Sequence, residues 1–313
     1  MEAILSEKDL IQILENLINQ IPKGKITTYK EMALAIGSIY ATRFIYNAIR
    51  KINGPWWRVV NEKGEIKDKK QLELLKKEGI TIENNKIINL TKYLYRDLKI
   101  DHKPLERLRR YQIELSKKIS LYDDFSDINI IGGVDLSYKN NKAIVVYTLL
   151  DIEKLKLLKF YVFEEHVSFP YIPTFLSFRE GDPILKTFNR VEPKPNVLFV
   201  NGQGIAHPVK MGLASYVGVV LDIPTVGITK KHLYGEIKEN KIYDKDGNQI
   251  GWVIKKNGKT VYVSPGNKLS LESSKELAEK TWIKGQYPEP IRIADEISKK
   301  VKKRNNNLLD YLK

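Results

Sequence analysis

Four polar residues that lie far apart along the chain could together hold metal ions. Asp135 interrupts an apolar, β-prone run, and Glu180 ends a segment braced by two prolines. Asn201 closes a second apolar run before a glycine-rich turn, and Asp295 lies on the first turns of a predicted helix. A buried strand seldom carries an unpaired carboxylate, because the charge would lose its hydration. Oxygen donors in this pattern are typical of two-metal hydrolysis of phosphodiesters.

The segment 169–181 predicts a rigid loop that could enter stacked bases. Pro170 and Pro173 fix the backbone on either side of Tyr171, which lowers the entropy cost of inserting its ring. Glu180, a few residues later, could hold a metal close to this wedge. The same segment is also compatible with an apolar turn packed on a core, and taken alone it does not separate the two interpretations.

Residues 128 to about 300 resemble endonuclease V, a repair nuclease that cuts near deaminated bases, chiefly hypoxanthine. The resemblance runs through six blocks in order: 133–135, 170–180, 202–208, 222–227, 263–266 and 288–292. It implies that Asp135 and Glu180 bind Mg²⁺, with Mn²⁺ as a substitute, and that Lys230 lies beside the scissile phosphate. Asp295 takes the place of a fourth, more variable site residue.

The same resemblance implies residues that meet the damaged base. Tyr171 would form a strand-separating wedge, and Gly202 would lie against the lesion. His207 belongs to a block of the family that has no settled chemical role.

Asn201 departs from the family, which has an aspartate before the Gly-Gln-Gly turn. Asparagine keeps the shape and loses a unit of negative charge, although Mg²⁺ prefers charged oxygen ligands. Either the natural protein is weakened, or the aspartate was replaced to trap an inactive complex, and the second explanation is slightly favoured. In both cases we expect a metal site that includes Asn201 to cut poorly.

The first hundred residues predict a helix-turn-helix. Ser6 with Asp9, and Thr28 with Glu31, are typical of helix starts, and Gly37 is typical of a helix end. A third helix over 41–52 would place Arg43, Asn47 and Arg50 on one face, toward DNA. From spacing alone, an ordinary helical pair with a solvated basic face is the more economical interpretation.

Residues 5 to 95 resemble the DNA-binding domain of O6-alkylguanine-DNA alkyltransferases, through 21–29, 55–61, 71–75 and 78–80. That family transfers the alkyl group to the cysteine of a Pro-Cys-His-Arg motif. Here Trp56 stands at the cysteine and Trp57 at the histidine, and the chain has no cysteine. This is the pattern of alkyltransferase-like proteins, which bind the lesion without repairing it.

The alkyltransferase resemblance also implies a base-flipping site. Tyr29 would rotate the phosphate or base, and Arg43 would fill the gap left by the flipped nucleotide. Trp56 would line the pocket and Arg58 would belong to the lesion-binding set. An indole face can stack on or border a flipped purine.

Charge agrees with nucleic-acid binding in both halves. The chain carries a net charge of +15, and seven basic residues against one acid lie between 21 and 60. A lysine-rich surface kept for solubility would not predict that clustering. No apolar run reaches the length of a membrane span and no signal peptide opens the sequence, so we expect a cytoplasmic, nucleoid-associated monomer.

We therefore expect an α/β protein of two domains. Residues 1–98 would form a winged-helix-like, alkyltransferase-like domain, 99–108 a linker, and 109–313 a ribonuclease H-like mixed sheet with helices on both faces. In that sheet, strands near 128–137, 143–150 and 156–163 would form an antiparallel meander, and strands near 197–201 and 225–228 would flank a helix near 208–220. Asn257-Gly258 would turn a hairpin, and the basic tail 298–304 would be a solvated helix end. The expected activity is Mg²⁺-dependent cleavage on the 3′ side of deaminated bases in DNA, without alkyl transfer. Two alternatives remain open: a protein that only binds lesions, and a nuclease for inosine-containing RNA.

Overall fold

The computed structural model describes residues 5–125, 127–139 and 142–303, in two compact units. The first unit comprises Met1–Tyr111 with Ser168–Pro173, and the second comprises Gln112–Val167 with Thr174–Lys313. The loop segment 168–173, which the sequence assigns to the second domain, thus belongs to the first unit. The linker over 99–108 stays a prediction, and a helix, Pro104–Ser116, begins inside it.

Within its described residues, the first unit is helical with two short strand pairs. Strand β1 pairs in parallel with β2, and β3 pairs with β4 as a hairpin. The elements are α1 (Glu7–Asn19), β1 (Thr27–Thr28), α2 (Tyr29–Ala35), α3 (Thr42–Ala48), β2 (Val59–Val60), α4 (Lys69–Lys77), β3 (Ile82–Glu83), β4 (Lys86–Ile87) and α5 (Leu90–Tyr93).

Local sequence signals explain the helix-turn-helix. The Ser6 hydroxyl accepts from the Asp9 backbone N–H at 3.2 Å, and the Asp9 carboxylate accepts from the Ser6 N–H at 2.8 Å, which completes the predicted capping box of α1. Thr28 caps α2 in the same way, at 3.1 Å from the Glu31 N–H. Gly37, at φ +99°, ends α2. The third helix is shorter than predicted, because α3 gives way to a 3₁₀ turn, Ile49–Lys51.

A nine-stranded mixed sheet forms the second unit, in the order β10-β11-β12-β13-β9-β8-β5-β6-β7. Strands β5, β6 and β7 make the predicted antiparallel meander, and β8 and β9 continue the sheet in parallel with β5. The strands are β5 (Ile130–Lys139), β6 (Lys142–Asp151), β7 (Leu157–His166), β8 (Val197–Val200), β9 (Thr225–Thr229), β10 (Glu236–Lys238), β11 (Lys241–Tyr243), β12 (Gln249–Lys256) and β13 (Lys259–Asn267).

Helices cover both faces of this sheet, as predicted. One face packs on α7 (Leu176–Phe188) and α8 (Leu213–Leu221) through an apolar cluster that includes Val134, Leu198 and Ile184. The other packs on α9 (Leu271–Thr281) and α10 (Glu289–Lys303), where Ala294 and Ile297 meet β6. The predicted Asn257-Gly258 hairpin joins β12 to β13.

Several sequence-based bounds need correction. Glu180 lies in the helix α7 and not in a loop, because helical backbone resumes directly after Thr174 and Phe175. The helix predicted over 208–220 begins at Leu213, since 208–212 form a turn. The basic tail is helical to Lys303, and Arg304 lies outside the described residues. No helix in the described ranges is long and apolar enough to cross a membrane.

Candidate functional site

Parallel pairing of β5 with β8 brings Asp135 and Asn201 together. Val134 is in register with Val200, so the next residue of each strand lies at the same edge of the sheet. The Asn201 side-chain N–H donates to Asp135 Oδ1 at 2.6 Å. The sequence predicts that these two residues lie together, and the structure joins them by a hydrogen bond from the amide to the carboxylate.

The N-terminal part of α10 closes the site from the second face. A Cβ on Gly133 would lie 2.2 Å from the Pro290 carbonyl oxygen, so only glycine lets the helix approach β5 this closely. The Thr148 hydroxyl holds the same carbonyl at 2.8 Å. As a result the Ser298 hydroxyl, on α10, donates to Asp135 Oδ2 at 2.9 Å.

Asp295 lies one turn before Ser298 on α10. Its carboxylate accepts from Lys299 Nζ at 2.6 Å, and its charge acts on Asp135. The structure therefore brings the predicted fourth site residue to the edge where Asp135 and Asn201 meet.

Glu180 reaches the site from α7 and is held by a residue that sequence reasoning missed. The Tyr138 hydroxyl donates to Glu180 Oε1 at 2.6 Å, and the Arg179 guanidinium lies 4.4 Å from the centre of the Tyr138 ring. The one available signal was the position of Tyr138, three residues after Asp135 on the same strand.

Burial and like charge act on both acids. Burial raises the pKa of Asp135 to about 6, with help from the Asp295 charge and against the hydrogen bonds from Asn201 and Ser298. Burial likewise raises the pKa of Glu180 to about 7, with help from the Asp135 charge and against the Tyr138 bond. A nearby cation would offset the like charges that help to raise both pKa values.

The donor set fits a weakly held divalent cation. Asp135, Glu180 and Asp295 offer carboxylate oxygens, which Mg²⁺ and Mn²⁺ prefer. Among the residues that the structure describes, however, no three His, Cys, Asp or Glu side chains are grouped closely enough to hold a metal. Asn201, where the resemblance expects an aspartate, lies beside Asp135 and donates to it through its amide nitrogen.

The glycine-rich turn after Asn201 packs tightly. A Cβ on Gly202 would lie 2.8 Å from the Leu213 Cβ, so the turn rests directly on α8. His207 is buried, accepts from the Val209 N–H at Nδ1, and faces the Thr174 carbonyl with Nε2 at 3.0 Å. A proton on Nε2 satisfies both bonds, so His207 braces the start of α7. Lys230 is exposed, directly after β9.

Tyr171 is exposed in the first unit. Its side chain is 59% accessible, while Phe169 and Ile172 on the same short segment are 1% accessible. The interpretation of Tyr171 as a core aromatic is therefore wrong, because its neighbours provide the apolar contacts and leave its ring in solvent.

The first unit has a cavity of about 500 Å³ beside α3. Tyr29 and Arg43, both predicted to bind the lesion, lie on its wall with Tyr46 and Arg50. The Tyr29 and Tyr46 rings meet edge to face at 5.3 Å, and burial raises the pKa of Tyr29. Trp56 is not among the residues of this wall, and its ring lies 5.7 Å from the Arg50 guanidinium.

The Glu78 carboxylate binds the side chains of Trp57 and Arg58, the two residues that follow Trp56. The Trp57 indole N–H donates to it at 2.7 Å, and Arg58 forms an ion pair with it at 2.9 Å. Burial would raise the pKa of Glu78, and the bonds from Arg58 and Trp57 outweigh it and lower that pKa. The Arg58 guanidinium also donates to the Ile21 carbonyl at 2.7 Å, so this arginine joins three parts of the unit.

Comparisons with known proteins match each half of the chain to a family. The family model for Endonuclease V matches residues 113–296, and the model for the DNA binding domain of 6-O-methylguanine DNA methyltransferase matches 12–84. A "Bifunctional methyltransferase-like/endonuclease" of Nanoarchaeum equitans is 40% identical over 93% of this chain and 91% of its own length.

Two solved structures resemble the second unit. The catalytic domain of human endonuclease V is 25% identical, with a TM-score of 0.60 over 64% of this chain and 97% of its own. Endonuclease V of Ciona intestinalis, in complex with DNA containing an inosine followed by a ribo-adenosine, is 26% identical, with a TM-score of 0.59 over 65% of this chain and 99% of its own.

Proposed function

Because the chain belongs to the endonuclease V family and carries an alkyltransferase-like DNA-binding domain ahead of the nuclease fold, we propose that it is a DNA-repair protein with two lesion specificities. The first domain would bind O6-alkylguanine without chemistry. The second would cut DNA on the 3′ side of hypoxanthine. The observation that carries the second part is the convergence of Asp135, Asn201 and Glu180 from three separate elements.

In this proposal Asp135 and Glu180 hold a divalent cation, Mg²⁺ or Mn²⁺, with Asn201 and Asp295 as weaker or more distant oxygen donors. The cation would supply activation of water and stabilisation of the leaving oxygen. Ser298 orients one oxygen of Asp135, and Tyr138 fixes the side-chain conformation of Glu180. Lys230 would offset the negative charge that builds on the scissile phosphate.

Lesion recognition in the first domain would use the cavity beside α3. Tyr29 and Arg43 on its wall supply an aromatic ring and a cation, which suit a nucleotide that leaves the base stack. Trp56 would border the flipped base from outside this wall. The bonds of Arg58 to Glu78 and Ile21 support a role in positioning the segment that carries Trp56.

Two other substrates or roles follow from specific observations. The relative from Ciona intestinalis binds an inosine followed by a ribonucleotide, so inosine-containing RNA is the second candidate substrate. The neutral Asn201 favours, as a second candidate role, a chain that binds both lesions and leaves the cutting to other factors. In each case we propose a monomer that acts in the cytoplasm, on nucleoid DNA.

The test of the nuclease is cleavage of hypoxanthine-containing DNA by the chain and by its Asn201→Asp variant, with Mg²⁺. The variant restores a charged ligand, so we expect its rate to rise by at least about a hundredfold, a barrier change of about 2.7 kcal/mol. Asn257→Asp, in the exposed turn between β12 and β13, adds the same charge away from the site and should change nothing. Equal rates for the chain and the Asn201→Asp variant would show that position 201 binds no metal, and no cutting by either would favour the binding-only role.

A further inference from the structure

In the side-chain amide of Gln203, the nitrogen is hydrogen-bonded and the oxygen has no hydrogen-bond partner among the described residues. Gln203 is 8% exposed, and its Nε2 donates to the Thr229 hydroxyl at 2.9 Å and to the Lys231 carbonyl at 3.1 Å. Because that carbonyl can only accept, the orientation of the amide is fixed. Its Oε1 is buried and has no hydrogen-bond partner within the described part of the chain.

A buried acceptor without a hydrogen bond is unfavourable, so a partner is expected when the site is in use. Gln203 lines a cavity of about 40 Å³ together with Thr174, Ser177, His207, Leu213 and Leu233. Such a volume holds a few waters at most and is smaller than a purine. Leu233 is 42% exposed, so the cavity lies near the surface, and a purine ring would enter only if this wall moved outward.

We propose that Gln203 Oε1 accepts a hydrogen bond from the ring N–H that deamination gives to a purine, while Nε2 holds the loop of Lys230. This inference rests on the proposed cutting of DNA at hypoxanthine. Adenine presents a lone pair at N1, which would face the lone pairs of Oε1, whereas hypoxanthine presents N1–H. A site whose acceptor is satisfied by one base and left unpaired by the other discriminates between them.

The second half of the amide connects recognition to cutting. Thr229 and Lys231, the two partners of Nε2, flank Lys230, and the Thr229 hydroxyl itself donates to the Lys231 carbonyl at 2.9 Å. A base that seats on Oε1 therefore fixes the same side chain that fixes the backbone around Lys230. Gln203 is in this sense a positioning residue for Lys230 and a specificity residue for the base.

The experiment measures equilibrium binding by the full chain, whose Asn201 slows cutting, in EDTA. Fluorescence anisotropy compares single-stranded DNA with one inosine, one adenosine or one nebularine, a purine nucleoside whose N1 carries no hydrogen. We expect the chain to prefer inosine over nebularine by about tenfold, the effect of one hydrogen bond and its unpaired alternative. Gln203→Met, which keeps the length and removes both polar atoms, should lower that preference about tenfold relative to the parent chain. The contribution of O6 is common to both proteins and cancels in the ratio of the two preferences.

Thr229→Val is the matched control, because it removes a partner of Nε2 and leaves Oε1 in place. It should keep the inosine preference and, in the Asn201→Asp background, cut more slowly at saturating substrate. If Gln203→Met keeps the full preference for inosine over nebularine, the inference about Gln203 is wrong and the proposed function stands. If the parent chain does not prefer inosine over adenosine, the proposed function fails and the inference falls with it.

Discussion

Asn201 donates a hydrogen bond to the Asp135 carboxylate, which an ionised aspartate at the same position could not do. Its amide N–H donates to one oxygen of Asp135, and Ser298 donates to the other. An aspartate at this position would add a third close carboxylate and would need a cation to offset the repulsion. We therefore expect the asparagine to have two effects of the same origin: weaker cation binding and a more stable metal-free protein.

The two raised pKa values predict how the metal-free protein responds to pH. The pKa of Asp135 rises from 3.8 to about 6, and the pKa of Glu180 rises from 4.5 to about 7. Between the ordinary and the raised pKa, the folded state binds more protons than the unfolded state. The unfolding free energy should be highest below about pH 4 for these groups and should fall as the pH rises to about 7. Urea unfolding in EDTA across this range measures it.

Asp135→Asn should remove its share of this pH dependence, which is about 3 kcal/mol for a shift of about two pKa units. Asp246→Asn, in an exposed turn, serves as the control and should leave the dependence as it is. A metal-free protein whose stability rises over the same interval would contradict the assignment.

At the scale of elements, the loop 168–173 is anchored so that the Tyr171 ring stays exposed to solvent. The Glu7 N–H, at the start of α1, donates to the Ser168 carbonyl at 2.7 Å, and Phe169 and Ile172 are buried. Pro170 and Pro173 restrict the backbone on either side of Tyr171. Such a loop can present Tyr171 with little further loss of entropy on binding.

Tyr171→Ala, in the Asn201→Asp background, should slow the cutting of inosine in a duplex more than in a single strand. The ring would help to open a base pair, so the difference should not exceed a few kcal/mol, the cost of unstacking and unpairing one base. Cleavage rates on the two substrates measure it, with Tyr122→Ala as a control at a tyrosine that is 84% exposed elsewhere. Equal losses on both substrates would remove the wedge role from Tyr171.

Strands were easier to predict than helices in this chain. The runs that became β5, β6, β8 and β9 are apolar and rich in β-branched residues, which predicts strands. The parallel pairing of β5 with β8 then brings Asp135 beside Asn201. Helix α7 was missed because prolines precede it and Pro183 lies inside it, although its apolar face still packs on the sheet. Tyr138 and Ser298 could not be assigned, because their roles depend on how α7 and α10 pack onto strands distant in sequence.

At the scale of the whole molecule, the absence of cysteine limits what the first domain can do. No thiol exists anywhere in the sequence, and the net charge of +15 favours contact with phosphate. The chain therefore has no thiol that could take an alkyl group, and we expect the first domain to bind an alkylated base without chemistry.

Incubation with O6-methylguanine DNA should leave the methyl group on the base, as mass spectrometry of protein and DNA would show. Binding to that DNA should still exceed binding to undamaged DNA. Arg43→Ala should weaken binding to both and lower the salt dependence by about one phosphate contact. Arg96→Ala, the same charge change at a residue outside the cavity wall, is the control, and a methylated protein would refute the non-catalytic assignment.

The close packing at Gly133 excludes any side chain there, and this limits how the sequence can change in evolution. A methyl group there would collide with Pro290 and push α10 away from β5, carrying Asp295 and Ser298 with it. That constraint belongs to the fold, so it persists whether or not the chain still cuts DNA. Exchanging a carboxylate for an amide at position 201 leaves the packing intact and fills the hydrogen bonds of Asp135. In a lineage released from selection for cutting, the first changes would therefore accumulate at the metal ligands, while the glycine that aligns them stays fixed.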